Sequence, residues 1–181
     1  MIRLSAPPAP TLQATQTCPG CGLVLESSDG PTHAYIGASA SCWALFGTLS
    51  AAPFSRTIGS RSRRLADDAY AVQHPGAPDR RCVQSVAVHL MGLCVLLERD
   101  GEQRRVMPVL GRMPARRPLD LHWLAPPARN GRLTVFDAIQ AGSGDGHAEA
   151  VEMWARDVWR AWRPHHATVR RWLDASGGPG G

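Results

Sequence analysis

The chain contains no lysine, and all 20 of its basic residues are arginine. Charged residues make up only 19% of the 181 residues, below the roughly one quarter that is usual in soluble domains. The net charge is +5, and the arginines are spread over several segments instead of forming one basic block. A moderate excess of this kind is typical of a solvated surface. The charge therefore argues against a nucleic-acid partner, although it does not exclude one.

The sequence also lacks a secretion signal and a membrane span. Its first 17 residues, MIRLSAPPAPTLQATQT, contain no apolar stretch of signal-peptide length and are interrupted by prolines. The most apolar segment, Val86 to Leu97, is shorter than the ~18 apolar residues of a membrane span and includes His89. We therefore predict a cytoplasmic protein with no membrane partner. In that compartment the five cysteines stay reduced and can serve as ligands.

The length and composition favour one domain between two tails. Residues 1–16 are rich in proline, alanine and threonine, which predicts a disordered N-terminal tail. Residues 174–181 read DASGGPGG and predict a flexible C-terminal tail. The remaining residues, 17–173, are long enough for a single helical metal-binding domain, and the apolar fraction of 44% supports a hydrophobic core.

Helical periodicity dominates this domain. Segments with helical spacing and plausible caps or stops are Ser41 to Ala52, Leu65 to His74, Cys82 to Arg99, VFDAI after Thr134, and His147 onward with a break at Pro164. The Cys82 to Arg99 segment is apolar on nearly every side, as expected of a helix at the centre of a bundle. We predict an all-α bundle of four to five helices with an N-terminal Cys-rich, zinc-knuckle-like segment and little strand.

The most specific chemical pattern is CPGCG, followed by one histidine and one cysteine. Its ligand candidates are Cys18, Cys21, His33 and Cys42, with the spacing C-x2-C-x11-H-x8-C. Two cysteines in a tight, glycine-containing turn can direct both sulfurs at one tetrahedral ion, as in the knuckle of zinc ribbons. The pattern therefore predicts a Zn²⁺ site.

Three other interpretations remain open for these cysteines. His74 could replace His33 as the fourth ligand, if the turn at Pro75 folds back towards the knuckle. The C-x-x-C pair could instead be a redox motif, but the strand-like LVLE that follows does not provide the helix that such motifs use. The chain could also bind no metal at this position.

A second candidate site uses histidines from the helices. His89 lies within the apolar central helix and needs a hydrogen-bond partner there, so a structural role is the simpler interpretation. If His74, His89 and either His165 or His166 converged, supported by Asp68, they could hold a second divalent metal with an open coordination position. These five residues are therefore our candidates for a catalytic role.

Several landmarks resemble an uncharacterised bacterial family, a domain of unknown function. They are CPGCG, PTHAYIGASASCW, DAYAVQHPG, QSVAVHLMGLCVLLER, LTVFD and WARDVWRAWRPHH. The resemblance implies one domain from Cys18 to Trp172 and implies no reaction.

The sequence supports three functions to different degrees. The main hypothesis is a zinc-binding helical protein whose metal is structural, with a regulatory or interaction role and a possible protein partner. The alternatives are a hydrolase-like metal enzyme that uses the helical histidines, and a nucleic-acid-binding regulator. The last would need Arg56, Arg61, Arg63 and Arg64 to gather on one face.

Overall fold

The computed structural model describes residues 14–51, 60–99, 119–142 and 145–176. The predicted all-α class with little strand is confirmed: the described ranges hold six α-helices, one short 3-10 helix and one two-stranded antiparallel sheet. The elements are β1 (Thr15–Thr17), β2 (Val24–Glu26), α1 (Ala40–Ala51), α2 (Ser60–Gln73), α3 (Arg80–Glu98), α4 (Val135–Gln140), α5 (Asp145–Ala161), the 3-10 turn (Arg163–His165) and α6 (His166–Ala175).

Two of the described elements reach past residues 17 and 173, the predicted boundaries of the domain. Thr15 and Gln16, predicted to be disordered, pair with β2 across the sheet, and α6 continues to Ala175. The rest of both predicted tails, residues 1–13 and 177–181, lies outside the described residues. The helix caps also differ in one place. The sequence favours Ser41, at the start of the predicted segment, as the cap of α1, but Ser39 takes that role, because its Oγ accepts a hydrogen bond from Cys42 N at 3.3 Å.

Helix α3 lies at the centre of the bundle, as its all-round apolar pattern predicts. It packs against α2, α5 and α6, and α2 also packs against α5. Asp79 caps α3 by accepting hydrogen bonds from the backbone N–H groups of Arg81 and Cys82. By length and composition α3 could cross a membrane, but more than half of its most apolar stretch is buried inside the bundle. Its apolarity is therefore explained by its position in the core.

Helices α2 and α3 approach each other closely at Gly92. A methyl group added at Gly92 would collide with the carboxylate of Asp68 on α2. Glycine is required at this point because it leaves room for a fully buried carboxylate between the two helices.

The predicted break at Pro164 separates α5 from α6. Pro164 lies in the first turn of the 3-10 segment, where its missing N–H group costs no helical hydrogen bond. The chain changes direction there, and α6 packs back onto α3. Because this break divides the last predicted segment into α5 and α6, the described residues hold six helices where four to five were predicted.

Candidate metal centre

Three cysteines and one histidine meet where the N-terminal segment contacts the bundle. The sulfurs of Cys18, Cys21 and Cys42 and a ring nitrogen of His74 all lie within 4.8 Å of one another. Cys18, Cys42 and His74 are buried, and Cys21 is partly exposed. The four ligand atoms come from the knuckle before β2, from the first turn of α1 and from the residue after α2. The cluster therefore joins three separate parts of the chain.

The spacing of the ligand atoms fits a tetrahedral ion. A Zn–S bond of about 2.3 Å and a Zn–N bond of about 2.0 Å imply edges of about 3.8 Å between two sulfurs and about 3.5 Å between sulfur and nitrogen. The measured distances are 3.8 Å from Cys21 Sγ to Cys42 Sγ and 3.5 Å from Cys42 Sγ to His74 Nε2. These are two of the six distances between the ligand atoms, and four protein ligands would fill every position of a tetrahedral ion.

The knuckle is shaped by two backbone hydrogen bonds and two glycines. Cys18 N donates to Leu23 O at 2.7 Å, and Gly22 N donates to Cys18 O at 2.9 Å, which closes the turn around the sulfurs. Gly22 has a positive φ of 79°, a conformation that favours glycine. Gly20 faces the imidazole of His74 so closely that a side chain would have no room. Gly20 thus permits close contact between the knuckle and the imidazole of His74.

His74 is held with Nε2 towards the sulfurs. Its Nδ1 lies 2.7 Å from the carbonyl oxygen of Tyr70, which can only accept a hydrogen bond, so Nδ1 carries the proton and Nε2 is free to bind a metal. The hydroxyl of Tyr70 donates to Cys42 Sγ at 3.6 Å, and the backbone N–H of Ser39 donates to Cys18 Sγ at 3.5 Å. Such outer contacts orient the ligands and stabilise negative charge on the sulfurs.

Without a metal, Cys18, Cys42 and His74 compete for protons. Hydrogen bonds from Cys21 and Cys42 lower the pKa of the Cys18 thiol. The Cys42 thiol donates its proton to Cys18 in such a hydrogen bond, so the pKa of Cys42 is raised. Burial lowers the pKa of His74, but hydrogen bonds to Cys18 and Cys21 outweigh burial and raise it to about 9. A cation bound by the sulfurs would replace these shared protons.

His74, the alternative fourth ligand, lies in the cluster, and His33 lies outside it. The imidazole of His33 contacts the rings of Tyr35 and Trp43, with centroids 4.3 and 4.9 Å away. The hydrogen bond from Gly37 N to His74 O, at 3.0 Å, draws the loop before α1 against the end of α2. The signal in the sequence was the helix stop at Pro75, which leaves His74 at a helix end.

Comparison with known sequences gives a family. The sequence pattern that defines a family of unknown function, DUF5946, matches residues 16–163. The chain belongs to the DUF5946 family. The predicted membership of an uncharacterised family is thereby confirmed, and all four cluster residues of this DUF5946 chain fall within the matched range. No curated protein and no solved structure matches the chain.

The second metal site predicted for this DUF5946 chain is not formed. His74 belongs to the cysteine cluster, whereas His89 pairs with Asp68, with 2.7 Å between His89 Nδ1 and Asp68 Oδ1. Across the part of the chain that the structure describes, no other group of three His, Cys, Asp or Glu side chains is close enough to share an ion. The alternative in which these histidines converge on a second ion is not seen among the described residues, because His74 at the end of α2 lies with the three cysteines.

The two histidines after Pro164 also bond elsewhere. His165 Nε2 lies 2.8 Å from the carbonyl oxygen of Ala125, and His166 Nε2 lies 2.9 Å from that of Trp159. The ring of His166 stacks on Trp159 at 3.7 Å. Each imidazole is therefore engaged with a backbone carbonyl oxygen and is not part of a group that could share an ion.

The arginines invoked for nucleic-acid binding are partly engaged within the protein. Arg61 donates to the carbonyl oxygen of Leu96 at 2.8 Å, and Arg64 pairs with the buried Asp68 at 3.0 Å. Arg63 is exposed, and Arg56 lies outside the described residues. This arrangement does not favour the nucleic-acid interpretation.

Replacement of Gly20 by alanine tests the contact between the knuckle and His74. The added methyl group would meet the His74 ring and would lie 2.8 Å from the carbonyl oxygen of Gln73, so either the ring or the knuckle must move. We expect metal affinity to fall by at least about tenfold, as for other changes in the shell around a metal. A competition titration with a coloured chelator measures this. Gly47→Ala, where no atom lies within 4 Å of the new methyl, is the control and should bind like wild type.

Proposed function

We propose that the chain binds one Zn²⁺ through Cys18, Cys21, Cys42 and His74, and that the ion is structural. The observation that carries this proposal is the agreement of the ligand spacing with a tetrahedron of three sulfurs and one nitrogen. Thiolate and imidazole ligands suit Zn²⁺ better than hard cations such as Mg²⁺ or Ca²⁺. A closed shell leaves no coordination position for water or substrate, which favours a structural ion over a catalytic one.

The ion would fasten the N-terminal segment to the helices. Strands β1 and β2 are only three residues long and mostly exposed, so burial contributes little to their stability. The three cysteine ligands lie within or beside that segment, and His74 follows the core helix α2. A metal that bridges the two parts supplies the stabilisation that the small sheet lacks.

The cellular role in this proposal is regulation or interaction with a protein partner in the cytoplasm. Because a structural ion takes no part in a reaction, the function would depend on what the molecular surface binds. Both the cytoplasmic location and the protein partner stay predictions from the sequence, and neither depends on the metal geometry.

Metal analysis of the purified protein tests the site. We expect one zinc per chain in wild type and in His33→Ala, and strongly reduced zinc in His74→Ala, because only His74 directs a ring nitrogen at the sulfurs. Replacing the ion by Co²⁺ should give the intense visible absorption of a tetrahedral thiolate site. Zinc retained by His74→Ala but lost from His33→Ala would contradict the ligand assignment, and metal-free wild type would contradict the proposal.

A further inference from the structure

The pair formed by Asp68 and His89 lies outside the group of three cysteines and His74. Asp68 is fully buried between α2 and α3, and both of its oxygens are occupied. Oδ1 lies 2.7 Å from His89 Nδ1, and Oδ2 accepts a hydrogen bond from Arg64 Nε at 3.0 Å. The buried carboxylate is therefore compensated by a guanidinium on one side and holds an imidazole on the other.

This contact fixes which nitrogen of His89 faces outward. A carboxylate only accepts hydrogen bonds, so His89 Nδ1 carries the proton and the neutral ring presents Nε2 as its free nitrogen. The side chain is 23% exposed and lines a cleft of about 360 Å³. Within the described ranges, Nε2 has no hydrogen-bond partner from the protein. The pair thus presents an oriented imidazole edge to a cleft.

The lining of the cleft is basic and rich in hydrogen-bond donors. It consists of Tyr35, Arg81, Gln84, Ser85, Val88 and His89. No carboxylate lines it, and Arg81 forms no salt bridge with any described acidic group. Asp79, the cap of α3, attracts Arg81 electrostatically, although its oxygens are bonded to backbone N–H groups and to Cys82. The groups available to bind an anion are therefore the guanidinium of Arg81, the imidazole of His89, the hydroxyl of Ser85 and the amide of Gln84.

We propose that this cleft binds a small phosphate monoester, with the phosphate between Arg81 and His89. Arginine matches phosphate oxygens with two parallel N–H groups, and the imidazole of His89 adds a further hydrogen bond at Nε2. The hydroxyl of Ser85 and the amide of Gln84 can bind the remaining oxygens. The cleft is larger than one phosphate group, so the organic part of the ester would contact Val88 and the ring of Tyr35. Asp68 is a positioning residue, since it acts only through His89.

Binding tests separate this cleft from general attraction to a basic protein. With zinc-loaded protein, inorganic phosphate and phenyl phosphate are titrated at constant ionic strength and followed by NMR. Phenyl phosphate is expected to bind more tightly than inorganic phosphate, and both should shift the resonances of His89. Arg81→Ala should weaken binding about fivefold or more, as expected for the loss of one close charge. The matched control is Arg80→Ala, which removes the same charge from the preceding residue outside the cleft lining.

The role of His89 is tested by substitution. The charged groups around it are Asp68, Asp67 and Arg64 from α2 and Arg81 from α3. His89→Gln keeps a hydrogen-bond donor for Asp68 but lacks the imidazole edge that faces the cleft. Inorganic phosphate, phenyl phosphate and sulfate should therefore each bind His89→Gln about fivefold more weakly than they bind wild type, as expected for the loss of one hydrogen bond.

Two results would overturn the proposal. One is equal weakening of phosphate binding in Arg80→Ala and Arg81→Ala, which would indicate non-specific attraction. The other is the absence of saturable binding by any of the three anions. If His89→Gln does not fold, the comparison of the two arginine variants decides the question alone. Failure of anion binding would leave the zinc site untouched, because every measurement uses the metal-loaded protein.

Discussion

Replacement of Cys42 by serine is expected to abolish stoichiometric zinc binding and to lower the melting temperature by about 10 °C. A serine hydroxyl does not ionise at neutral pH, so only three ligands remain. An ion bound only to the folded state stabilises it by about 4 kcal/mol when its free concentration is 1,000 times the dissociation constant. For a chain of this size each kcal/mol corresponds to roughly 2–4 °C.

The same change elsewhere in the core provides the control. Cys94 is fully buried on α3 and lies outside the cluster, so Cys94→Ser should keep one zinc per chain. Calorimetry of both variants with and without EDTA measures the difference. In Cys42→Ser, hydrogen exchange should become fast in the segment around β1 and β2, while α2 and α3 stay protected. A wild-type melting temperature unaffected by EDTA would contradict the structural role of the metal.

Gln73→Leu is expected to cost about 4 kcal/mol of unfolding free energy without loss of the metal. The Gln73 side chain is fully buried next to the ligand His74. Its amide nitrogen donates to the carbonyl oxygens of Asn130 and Leu133, both at 2.8 Å, and its oxygen accepts from Trp154 Nε1 at 3.2 Å. Leucine would leave two buried polar groups and the half-buried carbonyl oxygen of Leu133 without this partner. The loss at each buried group costs about 1–3 kcal/mol.

Urea denaturation of zinc-loaded protein measures this cost. Gln140→Leu makes the same chemical change at an exposed position at the end of α4 and should alter the unfolding free energy by less than about 0.5 kcal/mol. Retention of zinc by Gln73→Leu separates its effect from that of Cys42→Ser. If the Gln73→Leu variant unfolds at the wild-type urea concentration, these hydrogen bonds do not contribute to stability.

The hydrogen bonds of Gln73 also explain how the irregular segment before α4 is held. Asn130 donates back to the carbonyl oxygen of Gln73 at 3.2 Å, and it approaches that of Gly20 at 3.5 Å. The end of α2, the knuckle and the 130–133 segment thus meet through polar contacts that lie beside the metal cluster. A destabilised Gln73 variant would therefore be expected to hold the ion with a somewhat altered environment, which Co²⁺ spectra can detect.

Local signals in the sequence predicted much of the fold. The all-round apolar pattern of α3, the stop at Pro75 and the break at Pro164 each act within a few residues, so their effect can be read without the tertiary structure. Thr134 caps α4 as predicted, and in return its backbone N–H donates to the carboxylate of Asp137. The knuckle could be recognised because Cys18 and Cys21 are held by one short turn.

By itself, then, the sequence determined the helical class, the central helix and a cysteine knuckle suited to a metal. Only the tertiary structure decided that His74, 32 residues after Cys42, and not His33 faces the sulfurs. It likewise decided that the carboxylate of Asp68 forms a hydrogen bond with Nδ1 of His89. The physical reason is that both choices depend on how α2 packs between the knuckle and α3. Spacing along the chain specifies which residues share a helix face, but it does not specify which neighbour that face meets.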